Sequence, residues 1–133
     1  MEEVLKFLTE NPTFYFATVD GDKPRVRPFG FFMEYEGKLY FGMGNHKQSY
    51  KQLTVNPNVE VCTTNSKGEW IRIKGKVVFD KSQEALDNAF KTMPDLKKIY
   101  NEQTGQTLAV CYLTEAEAEI ADMSGGFKKI TLS

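Results

Sequence analysis

The chain has 133 residues, a formal net charge of −1, 41% hydrophobic residues and 26% charged residues. This length and composition are typical of one folded globular domain, residues 1–133, and exclude a disordered chain. A charge so close to zero argues against nucleic acid or an anionic membrane surface as the main partner. No apolar run is long enough to cross a bilayer, and the acidic first segment is unlike a signal peptide, so we expect a cytoplasmic protein.

The N-terminal part of the chain predicts one helix and three strands. Apolar residues at helical spacing indicate a helix over Glu2 to Thr9. The β-forming run at 13–20 predicts a strand, and the turn sequence GDKP leads from it to a second strand over 24–35. The sequence EGK then predicts a tight turn into a third strand over 39–44, which would form a hairpin with the second.

The middle of the chain predicts a helix and two further strands. The helix contains Lys47 and Lys51 and ends at Asn56-Pro57. Strands follow at 58–65 and 69–80, joined by SKG, and polar and apolar residues alternate along the second of them.

The C-terminal part predicts two helices and three strands. Ser82 is the expected N-cap of a helix whose apolar face runs from Ala85 to Phe90, and Pro94 begins a second, short helix. The closing strands are predicted over TLAVCYL, EAEIADM and KKITL.

These elements predict a mainly β, α+β fold. Six or more short antiparallel strands around one small core, with a helix inserted between strands, are typical of a barrel with a few peripheral helices. Two prolines and a glycine in the 24–35 strand indicate an edge or bulged strand, which a ligand can approach closely.

No catalytic motif of a hydrolase or a metalloenzyme is present in the sequence. His46 is the only histidine, and its nearest serine, Ser49, has no nucleophile-elbow sequence around it. Cys62 and Cys111 lie in separate apolar strand segments, which favours buried structural thiols over a metal or redox site. GMGNHK lacks the third glycine of a dinucleotide fingerprint. If the protein is an enzyme, a cofactor is expected to carry the reaction, and no catalytic side chain can be named.

Four cations point to an anionic ligand. Asn45 is predicted as N-cap of the second helix with Gln48 as its capping partner, so that Lys47 and Lys51 would share one face beside the positive helix end. An anion bound there would reverse the unfavourable position of the two lysines. Arg25 and Arg27 share one face of the preceding strand. The alternatives are solvated lysines on a surface helix and a charged edge strand that discourages aggregation.

Three segments together resemble the FMN-binding split barrels related to pyridoxamine 5′-phosphate oxidase. They are PRVRPFGFF, KLYFGMGNHKQSYKQLTVNPNVEV and EWIRIKGKVVF. Within that family the sequence is most similar to the small nitroimidazole-resistance-type flavoproteins. The resemblance implies a six-stranded antiparallel split β-barrel that works as a homodimer with FMN at the subunit interface. It also implies a small-molecule electron donor and acceptor.

The resemblance implies a cofactor site in which the strand at 25–28 runs along the flavin and the segment from Gly42 to Lys51 holds the phosphate. The implied FMN-binding residues are Arg25, Val26, Arg27, Pro28, Gly42, Met43, Gly44, Asn45, Lys47, Tyr50, Lys51 and Trp70. His46 matches either a histidine near the flavin or a surface histidine in the capping turn.

The sequence also departs from the true oxidases. Their helix start carries a Ser-Arg-Lys run, and their C-terminus carries an arginine- and histidine-bearing segment for the substrate; this chain has neither. Vitamin B6 oxidation is therefore not expected. The expected activity is the reduction of nitro or quinone-type compounds. The alternatives are a flavin-binding carrier or redox sensor without turnover, and the same barrel with F420 or haem.

Overall fold

The computed structural model describes residues 1–132. Three α-helices form, and a 3₁₀-helix, Pro94–Lys98, follows the third: α1 (Glu2–Glu10), α2 (Gln48–Val55) and α3 (Gln83–Thr92). The strands are β1 (Phe14–Asp20), β2 (Lys23–Phe29), β3 (Phe32–Tyr35), β4 (Lys38–Gly44), β5 (Asn58–Thr64), β6 (Glu69–Asp80), β7 (Leu108–Asp122) and β8 (Phe127–Thr131).

The strands form one antiparallel sheet with the order β2-β1-β5-β6-β7-β4-β3, and β8 pairs with β7 outside this order. β2 and β3 lie at opposite ends of the sheet, yet only Gly30 and Phe31 separate them in the chain. The sheet must therefore curl until its ends meet. Because no hydrogen-bonded ladder joins β2 to β3 in the described residues, the barrel is split.

Aromatic residues close the barrel where its two ends meet. The Phe14 ring, on β1, lies 6.4 Å from the Phe29 ring of β2 and 6.3 Å from the Phe32 ring of β3. Phe16 stacks on Phe29 at 4.5 Å, and Phe41 lies against both Phe14 and Phe16. The ring geometries are mainly edge-to-face and stacked, as aromatic pairs prefer. Phe14, Phe16 and Phe41 are fully buried, and Phe29 and Phe32 pack against them, so the cluster is part of the core.

The predicted mainly β barrel with peripheral helices is confirmed, and three details of it differ. The sheet has eight strands, not six. The expected strand over 24–35 is two strands, because its halves pair with β1 and β4 at opposite ends of the sheet. The two strands expected over TLAVCYL and EAEIADM are one strand, β7, whose outer edge pairs first with β4 and then with β8.

A β-bulge lets the long strands β6 and β7 stay paired. Gly75 faces Glu115 and Ala116, the register shifts between Lys74 and Lys76, and Glu115 has φ 50°. A Cβ on Gly75 would lie 2.9 Å from the carbonyl oxygen of Thr114. Only glycine allows the two backbones to approach this closely.

The start of α3 confirms the predicted cap. The Ser82 hydroxyl accepts a hydrogen bond from the Ala85 backbone N–H at 3.2 Å. Asp80 precedes it and accepts hydrogen bonds from the Tyr40 hydroxyl at 2.7 Å and from the Ser82 backbone N–H at 3.0 Å. Asp80 therefore ties β4 and the end of β6 to the first turn of α3.

The Asp80 carboxylate is expected to stabilise the folded protein less as the pH falls. The hydrogen bond from Tyr40 holds the pKa of Asp80 below its ordinary value. A carboxylate with a lowered folded pKa contributes stability that is complete above the unfolded pKa, about 3.9, and is lost as the pH falls through the folded pKa. We expect the difference in unfolding free energy between wild type and Asp80→Asn to shrink as the pH is lowered below that value, in urea titrations at a series of pH values. A constant difference would mean that the Asp80 charge contributes nothing.

Candidate active site

A cleft of about 700 Å³ opens between the end of β2, the end of β4, the start of α2 and the 3₁₀-helix region. Its polar lining residues are Arg27, Lys47, Gln48 and Ser49. Its apolar wall is made of Phe29, Phe31, Met43, Met93, Leu96 and Ile99, and Tyr100 also lines the cleft. The volume lies within the ~300–1,000 Å³ typical of small-molecule sites.

The start of α2 differs from the sequence prediction. Lys47, not Asn45, is the N-cap, and no side chain caps the helix, so the predicted capping box of Asn45 and Gln48 is wrong. The Asn45 backbone N–H instead donates to the Thr107 carbonyl at 3.0 Å, which draws Asn45 away from the helix. The helix therefore begins two residues later than predicted.

Backbone donors are free at this helix start. The Lys47 N–H donates to the Gly44 carbonyl, and the Lys51 N–H closes the first helical turn on the Lys47 carbonyl. The three intervening N–H groups, those of Gln48, Ser49 and Tyr50, have no acceptor within the helix. Gln48 and Ser49 line the cleft, so this helix end offers it the positive part of the macrodipole.

Ser49 is a candidate binding residue that the sequence reasoning missed. It is 5% exposed, it lines the cleft, and its hydroxyl makes no hydrogen bond to residues 1–132. Because no described side-chain polar atom is both buried and without a partner, the Ser49 hydroxyl oxygen must reach the surface of the cleft, where it is available to a ligand. The sequence shows only a serine beside a lysine in a predicted helix, and no pattern there distinguishes a buried serine from a surface one.

The charge of the cleft is wholly positive. Lys47 forms no ion pair within residues 1–132, and no aspartate or glutamate lines the cleft. Arg27 is half-buried, and its burial, together with the neighbouring Arg25, lowers the pKa of its guanidinium. An arginine remains a cation in spite of this shift. Such a cleft favours an anionic ligand over a cationic one.

Six of the twelve predicted cofactor residues meet in the cleft: Arg27, Pro28, Gly42, Met43, Gly44 and Lys47. Asn45 and Tyr50 line a separate cavity of about 260 Å³ beside Phe79 and Asp80, and the Tyr50 ring packs on Phe79 at 4.7 Å.

The other four predicted residues lie away from the cleft in a single chain. Arg25 pairs with Asp20 at 3.6 Å, and Val26 is exposed on β2. Lys51 is exposed on α2, and Trp70 lies between Thr64 and Ala121 at the start of β6. Their roles toward a cofactor stay predictions.

His46 packs over the backbone at the end of β4. A Cβ on Gly44 would lie 2.5 Å from His46 Cε1 and 3.4 Å from the Tyr100 ring. A side chain at position 44 would therefore displace the imidazole. The sequence interpretation left open whether His46 faces a flavin or the solvent; the structure places it, exposed, beside one wall of the cleft.

The arrangement fits a phosphorylated planar ligand. The free N–H groups of α2, the Ser49 hydroxyl and the Lys47 ammonium are donors suited to a phosphate. The apolar wall of phenylalanine, methionine, leucine and isoleucine suits a ring system. Among residues 1–132, no metal-ligating carboxylate or thiol lines the cleft.

The chain is similar to proteins of known family and structure. The family model described as pyridoxamine 5′-phosphate oxidase matches residues 1–119. A crystal structure of a NimC/NimA family protein from Clostridium acetobutylicum is 43% identical, with 98% of this chain and 91% of that chain covered and a TM-score of 0.90.

More distant structures share the fold. A pyridoxamine 5′-phosphate oxidase-related, FMN-binding protein from Nostoc punctiforme is 14% identical over 96% of this chain and 87% of that chain, with a TM-score of 0.66. A FAD-binding protein from Mesorhizobium loti is 15% identical over 91% of this chain and 94% of that chain, with a TM-score of 0.63. A search of curated proteins finds no significant match.

Proposed function

Since the chain belongs to the pyridoxamine 5′-phosphate oxidase family, we propose that it is a flavoprotein that binds FMN and acts as an oxidoreductase on nitro or quinone-type compounds. The observation that carries the proposal is the cleft itself, which combines Lys47, Arg27 and the free N–H groups of α2 with an apolar wall. The Nostoc protein is described as FMN-binding and the Mesorhizobium protein as FAD-binding, which supports a flavin as the cofactor.

In this proposal the chain binds and orients the cofactor. Lys47, Ser49 and the start of α2 would hold the phosphate, and Arg27 would supply positive charge beside the ring system. Bound FMN would supply the electron transfer from a small-molecule donor to a small-molecule acceptor. Among the described residues, the ionisable side chains that line the cleft are Arg27, Lys47 and Tyr100, so no carboxylate or imidazole of residues 1–132 is placed there as a general base.

The test begins with the purified protein. We expect a yellow protein whose released chromophore elutes as FMN, and which is reduced by NADH or NADPH under anaerobic conditions and reoxidised by a nitroaromatic or a quinone. A colourless protein that binds no added FMN would overturn the proposal, and released FAD, F420 or haem would overturn the identity of the cofactor.

A carrier or redox sensor is the second candidate, since no substrate-binding motif is recognisable in the sequence. A protein that holds FMN but is neither reduced by nicotinamide donors nor reoxidised by these acceptors would support it over the enzyme.

We propose further that two copies form a homodimer with FMN at the interface. The outer face of β1 and β2 exposes apolar side chains: Tyr15, which is opposite Pro28, and Val26, which is opposite Ala17. Exposed apolar neighbours of this kind mark an interaction surface. A second copy seated there would cover Val26, whereas Arg25, the preceding residue on β2, points to the opposite face of the sheet.

Val26→Lys is expected to convert the dimer to a monomer and to weaken FMN binding, because a lysine ammonium would be buried in the interface. Light scattering coupled to size exclusion measures the mass, and flavin fluorescence measures the affinity. Val55→Lys is the matched control, since Val55 is 87% exposed at the end of α2 and Val26 is 67% exposed. A Val26→Lys protein that stays dimeric would contradict this choice of surface.

The described residues contain no helix long and apolar enough to cross a membrane. Cys62 and Cys111 are both free thiols. Free thiols are usual in a reducing compartment, which supports our proposal of a cytoplasmic location.

A further inference from the structure

Three side chains from three elements form a closed hydrogen-bonded ring beside the cleft. Arg27 on β2 donates from Nη1 to Thr18 Oγ1 on β1 at 2.7 Å, and from Nη2 to Gln52 Oε1 on α2 at 3.0 Å. Thr18 Oγ1 in turn donates to Gln52 Oε1 at 2.6 Å. Thr18 is only 2% exposed, so little water competes for these bonds.

The direction of every bond in this ring is determined by chemistry. A guanidinium has donors only, so Thr18 and Gln52 must both accept from Arg27. The Thr18 hydroxyl has a single proton, which it gives to Gln52 Oε1. Gln52 must therefore turn its carbonyl oxygen, not its NH₂ group, toward the other two residues.

The ring leaves one edge of the Arg27 guanidinium free. Nη1 also donates to the Phe16 carbonyl at 3.3 Å, so both of its protons have acceptors. Nη2 uses one proton on Gln52, and Nε has no acceptor within residues 1–132. The Nε–H and the second Nη2–H lie side by side, which is the fork that arginine uses to bind planar acceptors.

We infer that Thr18 and Gln52 are positioning residues, which hold Arg27 so that its free Nε–Nη2 edge meets the ligand of the cleft. The inference deepens the proposed function and rests on it, because the ligand is taken to be the flavin. Arginine side chains lose much rotational freedom when they are ordered. Because residues of β1 and α2 already order the guanidinium, little further conformational entropy is lost when it binds a planar acceptor.

The experiment compares two buried threonines in the holoprotein. Thr18→Val removes the hydroxyl at nearly constant shape, and Thr63→Val is the matched control, because Thr63 is 6% exposed and bonds only the Thr13 carbonyl. We expect Thr18→Val to weaken FMN binding about tenfold, within the range for side chains that act through a shared network. Thr63→Val should lower the melting temperature without changing affinity, and Thr18→Ser should restore binding.

A double-mutant cycle separates positioning from general damage. In an Arg27→Gln background Thr18→Val should have no further effect on FMN affinity, because it acts only through Arg27. An unchanged affinity in Thr18→Val, equal losses in Thr18→Val and Thr63→Val, or a full further loss in the Arg27→Gln background would each overturn the inference while leaving the proposed function intact.

The order of the Arg27 guanidinium can be measured by NMR without flavin. In NMR spectra of the wild-type protein the Arg27 Nη–H signals should be separate, since the bonds to Thr18 and Gln52 hinder rotation, and in Thr18→Val they should average. Averaged signals in the wild type would overturn the positioning claim. A wild-type protein that binds no flavin would overturn the proposed function and the assignment of flavin as the ligand of Arg27. The NMR signals test the positioning of Arg27 separately.

Discussion

Lys47→Ala is expected to weaken FMN binding roughly 10- to 100-fold, the equivalent of one lost charge-assisted hydrogen bond. Lys47 is the N-cap residue of α2, lines the cleft and has no protein counter-ion within residues 1–132. Its charge is therefore available to a phosphate. Riboflavin has no phosphate, so its affinity should change little. Fluorescence titration of the apoprotein with each flavin measures both values.

Lys51→Ala is the matched comparison for this prediction. Lys51 lies one helical turn further along α2, is exposed and does not line the cleft, so its loss should cost less than that of Lys47. Losses of similar size at both positions would mean that the phosphate lies between the two lysines, as the resemblance implies. An equal loss of FMN and riboflavin affinity in Lys47→Ala would contradict the phosphate role.

Phe14→Ala should destabilise the protein by about 3–5 kcal/mol, the range for removing a large aromatic side chain from a core. Phe14 is fully buried, and its ring touches Phe29 and Phe32, which belong to the two ends of the sheet. Its loss leaves a cavity where the barrel closes. Urea unfolding followed by circular dichroism measures the change.

Phe127→Ala is the control for Phe14→Ala, because it makes the same substitution on β8 at a side chain that is 63% exposed. Its expected effect is within about 0.5 kcal/mol. A Phe14→Ala cost below about 1 kcal/mol would mean that the neighbouring rings collapse into the cavity, and that Phe14 does not hold the ends of the barrel together.

Local patterns predicted most of the elements. Period-two alternation predicts β6, and the turn sequences predict the β1–β2 and β3–β4 connections. Ser82 was predicted as a cap because a hydroxyl at that position satisfies a helix N–H wherever the helix lies. These features depend on neighbours in the chain, so the sequence is sufficient to find them.

Features that depend on distant partners could not be predicted in this way. Nothing within 24–35 shows that its halves pair with strands at opposite ends of the sheet. The start of α2 was misplaced because the Asn45 N–H bonds to Thr107, a residue remote in sequence.

Charge and periodicity are properties of the chain, so the sequence is sufficient to predict a small, mainly β protein with several cations near one helix start. Which of these cations line the same cleft depends on the fold. Arg25 and Arg27 look alike two residues apart in the sequence, yet Arg25 pairs with Asp20 and Arg27 is held by Thr18 and Gln52 beside the cleft. Likewise, Ser49 is a candidate binding residue only because the fold places it, largely buried, in the lining of the cleft. Burial and partner choice arise from contacts between remote segments, and those exist only in the folded barrel.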